Sequence, residues 1–226
     1  MGTLGGYCAL ALACSVSLSA ATISGTVRIT KPLTRKKVSL SQVYERAAVA
    51  ATPEQRTAAL PAEYERVAIY LEGGLTASKP VTAEVIQRQR RFDPELVIVS
   101  PGSKVLFPNT DPIFHNVFSL SKAKQFDLGN YPKGQSRAVH FDKPGIVLVH
   151  CHLHPNMNAA VVVAPGPFYA RPDEQGNYTI GDVPAGSYTL VAWHKSAGFF
   201  RRKIEVKDAT PLAVDLEIPL KEGFAP

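Results

Sequence analysis

His150-Cys151-His152-Leu153-His154-Pro155-Asn156-Met157 follows an apolar run, Ile146-Val147-Leu148-Val149. The run reads as a buried strand, and the octet as the loop that leaves its end. A thiol, imidazoles and a thioether therefore sit close together where a strand delivers them. Taken singly these residues are unremarked: a lone cysteine is commonly inert core, and a lone methionine core filler. Together they suit a soft metal, and two histidines, a cysteine and a weak axial methionine make a copper electron-transfer site. Cys151, His154 and Met157 supply three of these ligands. The fourth comes from upstream, where His115 in Asp111-Pro112-Ile113-Phe114-His115-Asn116-Val117-Phe118 is the best candidate.

Strand alternation separates the remaining histidines from this set. If Cys151 points inward, His150 and His152 point to the other side. His150 then reads as a partly exposed strand residue.

The combination resembles the cupredoxins. Cys-x-x-His-Pro-x-Met, with a histidine just before the cysteine, is similar to the amicyanin loop. "FPNTDPIFHNVFSL" resembles the strand that delivers the first histidine, and "FDKPGIVLVHC" the Pro-Gly turn and strand that deliver the cysteine. The resemblance spans about residues 81–165. It implies a Greek-key β-sandwich holding one type 1 copper on His115, Cys151, His154 and Met157. It also implies that Asn116 ties the two ligand loops together by hydrogen bonds.

The rest of the chain fits an all-β protein. Its 226 residues are 45% hydrophobic, enough for one large or two small cores. Residues 1–21 carry no charged side chain and end in Ser19-Ala20-Ala21, which resembles a secretory signal peptide. The apolar stretch is short for a membrane span. Cleavage there removes Cys8 and Cys14 and leaves Cys151 as the sole thiol. An exported, periplasmic or extracellular protein is the expectation. The net charge of +6 and pI of about 9.2 come without a basic helix or nucleic-acid motif, so nucleic-acid binding has no support. The excess reads either as ordinary solubility charge or as a mild positive field that suits an acidic redox partner.

Residues 22–80 read as two strands, "ATISGTVRI" and "RVAIYLEGG", around a helical insert at 38–66. Thr52-Pro53-Glu54-Gln55 supplies the helix start, and Pro61 its stop. Ser119 to Gly134 reads as loops and short strands. After Pro165-Gly166-Pro167 the character changes. The turns at Gln175-Gly176 and Pro184-Ala185-Gly186, and the Tyr188-Thr189-Leu190 strand, resemble a carboxypeptidase regulatory-like, transthyretin-like β-sandwich. Residues 166–226 are short for that family, whose first strands look like "ISGTV" and "VAIYLEG". Two arrangements follow. Either the sandwich is discontinuous with the cupredoxin inserted, or three units lie in series. Trp193-His194 and Phe199-Phe200 read as core or inter-domain packing.

Several functions compete. The first is an exported one-electron carrier whose partner is a c-type cytochrome or a periplasmic dehydrogenase, by analogy with amicyanin. The second is a copper enzyme, since His150-Cys151-His152 resembles the bracket of multicopper oxidases. Six histidines are too few for a trinuclear cluster within one chain, which leaves only a second copper shared between subunits. Copper storage or delivery is weaker with two methionines. A metal-free binding module is the fourth reading.

Overall fold

The computed structural model describes residues 20–30, 63–74 and 78–219. The signal-like segment and the expected helix after Thr52 lie outside the described residues.

β1 (Ala21–Ile29) and β2 (Val67–Glu72) come first. The middle of the chain holds β3 (Thr82–Glu84), β4 (Ile86–Arg88), β5 (Arg91–Asp93), β6 (Leu96–Val99) and β7 (Ser103–Pro108). It continues with β8 (His115–Ser121), β9 (Lys124–Tyr131), β10 (Ser136–Phe141), β11 (Gly145–His150) and β12 (Asn158–Val163). The last part holds β13 (Tyr169–Ala170), β14 (Asn177–Val183), β15 (Gly186–His194), β16 (Gly198–Val206), β17 (Leu212–Ala213) and β18 (Leu216–Ile218). Among the described residues, no helix is long and apolar enough to cross a membrane.

The protein is all-β, a cupredoxin-like sandwich joined to a second β domain. In the middle part, a sheet ordered β6-β12-β11-β8-β9 faces a sheet ordered β10-β7-β3, and the β4–β5 hairpin lies beside them. Val99, Val105, Phe107, Val117, Val147 and Val161 fill the space between. The outer strands pair with one another across this insertion. β1 runs antiparallel to β14 and parallel to β17 and β18. β2 lies between β13 and β15, and β15 pairs on to β16. Ile23, Val27, Ile69, Leu71, Leu190 and Ile218 form their common core.

The two sandwiches share a face, and the sequence shows why. β12 is apolar at nearly every position because both its sides are covered. Ala159, Val161 and Val163 turn into the cupredoxin-like core, whereas Ala160, Val162 and Ala164 meet Ala68, Tyr70, Val191 and Trp193. β2 and β15 are two-faced in the same way. The small residues on β12 leave room for Trp193 and Tyr70. Four sheets are thus stacked around three apolar layers.

Polar contacts rim the shared face. Glu95, just before β6, accepts from Arg66 Nε at 3.2 Å and Lys195 Nζ at 3.2 Å. Lys195 also donates to the Asn158 carbonyl at 2.9 Å. Burial would raise the Glu95 carboxyl, but the two cations hold it below the usual range. Desolvation offsets much of the Coulomb gain in such a semi-buried cluster, so its net contribution to stability is small. At the same end of β15, His194 is fully buried. Its Nδ1 accepts from the Ser196 and Ala197 N–H groups, so its Nε2–H donates to Glu63 at 3.1 Å.

One expectation fails. The stretch from Ser119 to Gly134 is mostly a regular hairpin, β8 to β9, rather than loops and short strands. Phe126 and Leu128 face the core while Gln125, Asp127 and Gly129 face out. Polar residues on the wetted face of an antiparallel sheet hid that alternation.

Candidate metal centre

Four elements deliver the site. His115 opens β8 and is completely buried. Cys151 follows the last residue of β11 and is 4% exposed. His154 lies on the loop between, and Met157 precedes β12. The loop is closed by its own backbone: Met157 N–H donates to the His154 carbonyl at 2.9 Å, and Cys151 N–H to the Met157 carbonyl at 3.2 Å. Pro155 removes one N–H from this short loop and limits its backbone freedom.

Three ligand atoms converge. His115 Nδ1 and His154 Nδ1 lie 3.1 Å apart. Cys151 Sγ is 3.9 Å from His115 Nδ1 and 3.8 Å from His154 Nδ1. Metal–nitrogen bonds are about 2.0–2.1 Å and metal–sulfur bonds about 2.3 Å for a borderline-soft ion. Each separation is shorter than two such bonds end to end, so one ion fits all three atoms. Among the described residues, these are the His, Cys, Asp and Glu side chains grouped closely enough to hold an ion. Met157 is 1% exposed and belongs to the same core cluster as Cys151.

His150 and His152 stand apart from this group. His152 stacks on Phe118 with ring centroids 3.7 Å apart and planes within 4°. It also lies 3.6 Å from Asp127. His150 meets the same ring at 5.7 Å. Phe118 is on the outer side of β8, so both histidines leave the thiol on its own face. Burial pushes the His150 imidazole down, and the Lys195 charge adds to this.

Asn116 sits where the two ligand segments meet. Its backbone N–H points at Cys151 Sγ at 3.5 Å, and its Oδ1 accepts from His152 N–H at 3.4 Å. Its Nδ2 donates to Asp127 at 2.7 Å. Asp127 is held below the usual carboxylate range by the N–H of Gly129 and by Asn116. The chain therefore has a fixed donor beside the sulfur and a fixed link between the segments bearing His115 and Cys151.

Asp111 was not legible as part of the site. Its Oδ2 lies 2.7 Å from His115 Nε2 and accepts the Arg90 N–H at 2.8 Å. Its Oδ1 accepts the Gln89 N–H at 2.6 Å. Burial would raise the carboxyl, but these three partners hold it below the usual range. Its contacts run through space to a ring and a hairpin tip, so nothing in the neighbouring sequence marks it. Burial pushes the His154 imidazole down, and nearby positive charge at Arg90 adds to this.

No protein-family model and no curated protein matches this chain. Solved structures do. A reduced variant of amicyanin is 24% identical over 35% of this chain and 79% of that one, with a TM-score of 0.34. A purple cupredoxin from Nitrosopumilus maritimus is 21% identical over 36% of this chain and 99% of that one, with a TM-score of 0.34. A copper-containing nitrite reductase from Thermus scotoductus is 22% identical over 42% of this chain and 25% of that one, with a TM-score of 0.35.

Proposed function

We propose that this is an exported type 1 copper protein that passes single electrons between redox partners. The convergence of His115 Nδ1, His154 Nδ1 and Cys151 Sγ at 3.1–3.9 Å carries the reading. His115, Cys151 and His154 are the close ligands, and Met157 the weak axial one. Copper held there supplies a Cu(II)/Cu(I) couple whose potential follows the axial ligand and the hydrogen bonding around the sulfur. A centre anchored at a fully buried histidine and a closed loop changes little between oxidation states, which favours electron transfer over substrate chemistry.

The chain's residues have distinct parts in this. Asn116 N–H stabilises negative charge on sulfur. His154 is partly exposed, and Phe114 and Leu153, each next to a ligand in sequence, are exposed apolar side chains. A partner such as a c-type cytochrome or a periplasmic dehydrogenase would meet that end, because the second domain covers the β6–β12 side. Export rests on the signal-like first 21 residues.

Metal analysis of copper-loaded protein tests the carrier reading against a second copper site. About one copper per chain is expected, unchanged in His152→Ala, because His152 stacks on Phe118 away from the thiol. His154→Ala should lose most of its copper. Two coppers per chain falling to one in His152→Ala would overturn the carrier reading in favour of an enzyme with an inter-subunit site.

A further inference from the structure

We infer that Asp111 is a positioning residue that clamps His115 in one tautomer and biases the metal towards its oxidised state. The inference deepens the copper reading and rests on it for the redox half. The clamp itself stands on the chain alone. A carboxylate accepts hydrogen bonds and cannot donate them when ionised. The 2.7 Å contact therefore puts the proton on His115 Nε2 and leaves the Nδ1 lone pair facing Cys151 and His154. His115 is completely buried and Asp111 is 7% exposed, so little water competes for this bond. An outer partner of this kind fixes ring orientation and raises the basicity of the ligand.

Asp111 is itself fixed on several sides. Asn109 Oδ1 accepts its backbone N–H at 2.9 Å. Asn109 Nδ2 donates to the carbonyls of Ile113 at 2.9 Å and Tyr131 at 3.0 Å. The carboxylate also takes the N–H groups of Gln89 and Arg90, the two residues at the tip of the β4–β5 hairpin. Both tip residues have left-handed backbones, with φ of 53° and 56°. Two N–H groups aimed at one carboxylate are a reason for that turn to hold. One carboxylate thus locks the buried ligand and seats the hairpin that carries Arg88, Arg90 and Arg91.

The charge has a defined sign of effect. A negative group bonded to a ligand imidazole favours the ion of higher charge, so Asp111 lowers the reduction potential. Arg90, whose N–H is bonded to the same carboxylate at 2.8 Å, carries the opposite charge and acts the other way. This opposition separates charge from scaffolding. If Asp111→Asn acted only by freeing the hairpin and moving Arg90 away, the potential would fall. If it acts by removing the carboxylate, the potential rises.

The experiment is voltammetry of copper-loaded wild type, Asp111→Asn and Arg90→Gln, with nitrogen-resolved NMR of the metal-free wild type. Asp111→Asn should lose about tenfold or more in preference for Cu(II) over Cu(I), a rise of about 59 mV or more for one electron. Arg90→Gln should fall or stay level. In metal-free wild type, His115 should show a slowly exchanging Nε2 proton. A potential in Asp111→Asn equal to or below wild type would overturn the redox bias. An unprotonated Nε2 would overturn the clamp, and that measurement decides even if the variant takes up no metal. A wild type that binds no copper would sink the electron-carrier reading alone, with the clamp still judged by the Nε2 proton.

Discussion

Cys151→Ser is expected to abolish the visible colour of the copper-loaded protein and to weaken copper binding by more than about 100-fold. Loss of a mere outer hydrogen-bond partner already costs about 10- to 100-fold in metal affinity. Cys151 is a direct ligand in this account and the one cysteine among the described residues. The colour of a type 1 centre comes from charge moving between sulfur and Cu(II), and a serine hydroxyl cannot replace that. The fold should survive. Serine is smaller than cysteine, and its oxygen can accept the Asn116 N–H that now points at sulfur at 3.5 Å. Thermal unfolding of the metal-free variant should differ from wild type by no more than about 1–2 kcal/mol, an ordinary single-site effect. Visible spectra and a copper-affinity titration check the first part, and calorimetry the second. A variant that keeps its colour would remove Cys151 from the site.

Gly25→Ala should be among the most damaging single-methyl changes in the molecule. A Cβ at Gly25 would lie 1.9 Å from the Val214 carbonyl oxygen and 2.6 Å from its carbon. That obstacle is backbone and cannot rotate away. Gly25 lies in β1 opposite Tyr178 of β14, and the neighbouring Ser24 carbonyl accepts the Val214 N–H at 2.8 Å. A methyl group there must push the chain before β18 off β1, where the N-terminal strand completes the second domain. Overpacking of this kind costs about 3 kcal/mol or more. At this chain length that is a fall of roughly 6–12 °C in Tm. Gly166→Ala is the contrast, because a Cβ there meets nothing within 4 Å. It should stay within about 0.5 kcal/mol of wild type. Denaturant unfolding of metal-free protein measures both. A Gly25→Ala protein as stable as wild type would contradict the seating of β1 against the last strands.

The readable and unreadable parts of this chain differ for physical reasons. Cys151, His154 and Met157 stood out because unusual side chains lay close together after a strand, and His115 because the resemblance supplied its place. The return of β1 and β2 to the final strands was one of two arrangements that the sequence allowed, and the pairing of Ile23 with Ile180 and of Leu71 with Leu190 selects it. The face shared by the two domains was not legible. Trp193 read as core or inter-domain packing, and for Ala160 and Val162 apolar character does not say which of two cores a side chain enters. β9 was missed because half of its residues belong in water. Asp111 was not legible because its work is done through space, on a hairpin tip and a buried ring.

The visible absorption spectrum of the oxidised, copper-loaded wild-type protein, recorded before and after reduction, decides whether Cys151 and its neighbours hold a type 1 copper. An intense thiolate-to-copper band towards the red end of the visible range is expected, with about one copper per chain, and it should bleach on reduction and return on reoxidation. Protein that binds Cu(II) yet stays colourless, or shows only weak absorption indifferent to Cys151→Ser, would contradict a type 1 centre.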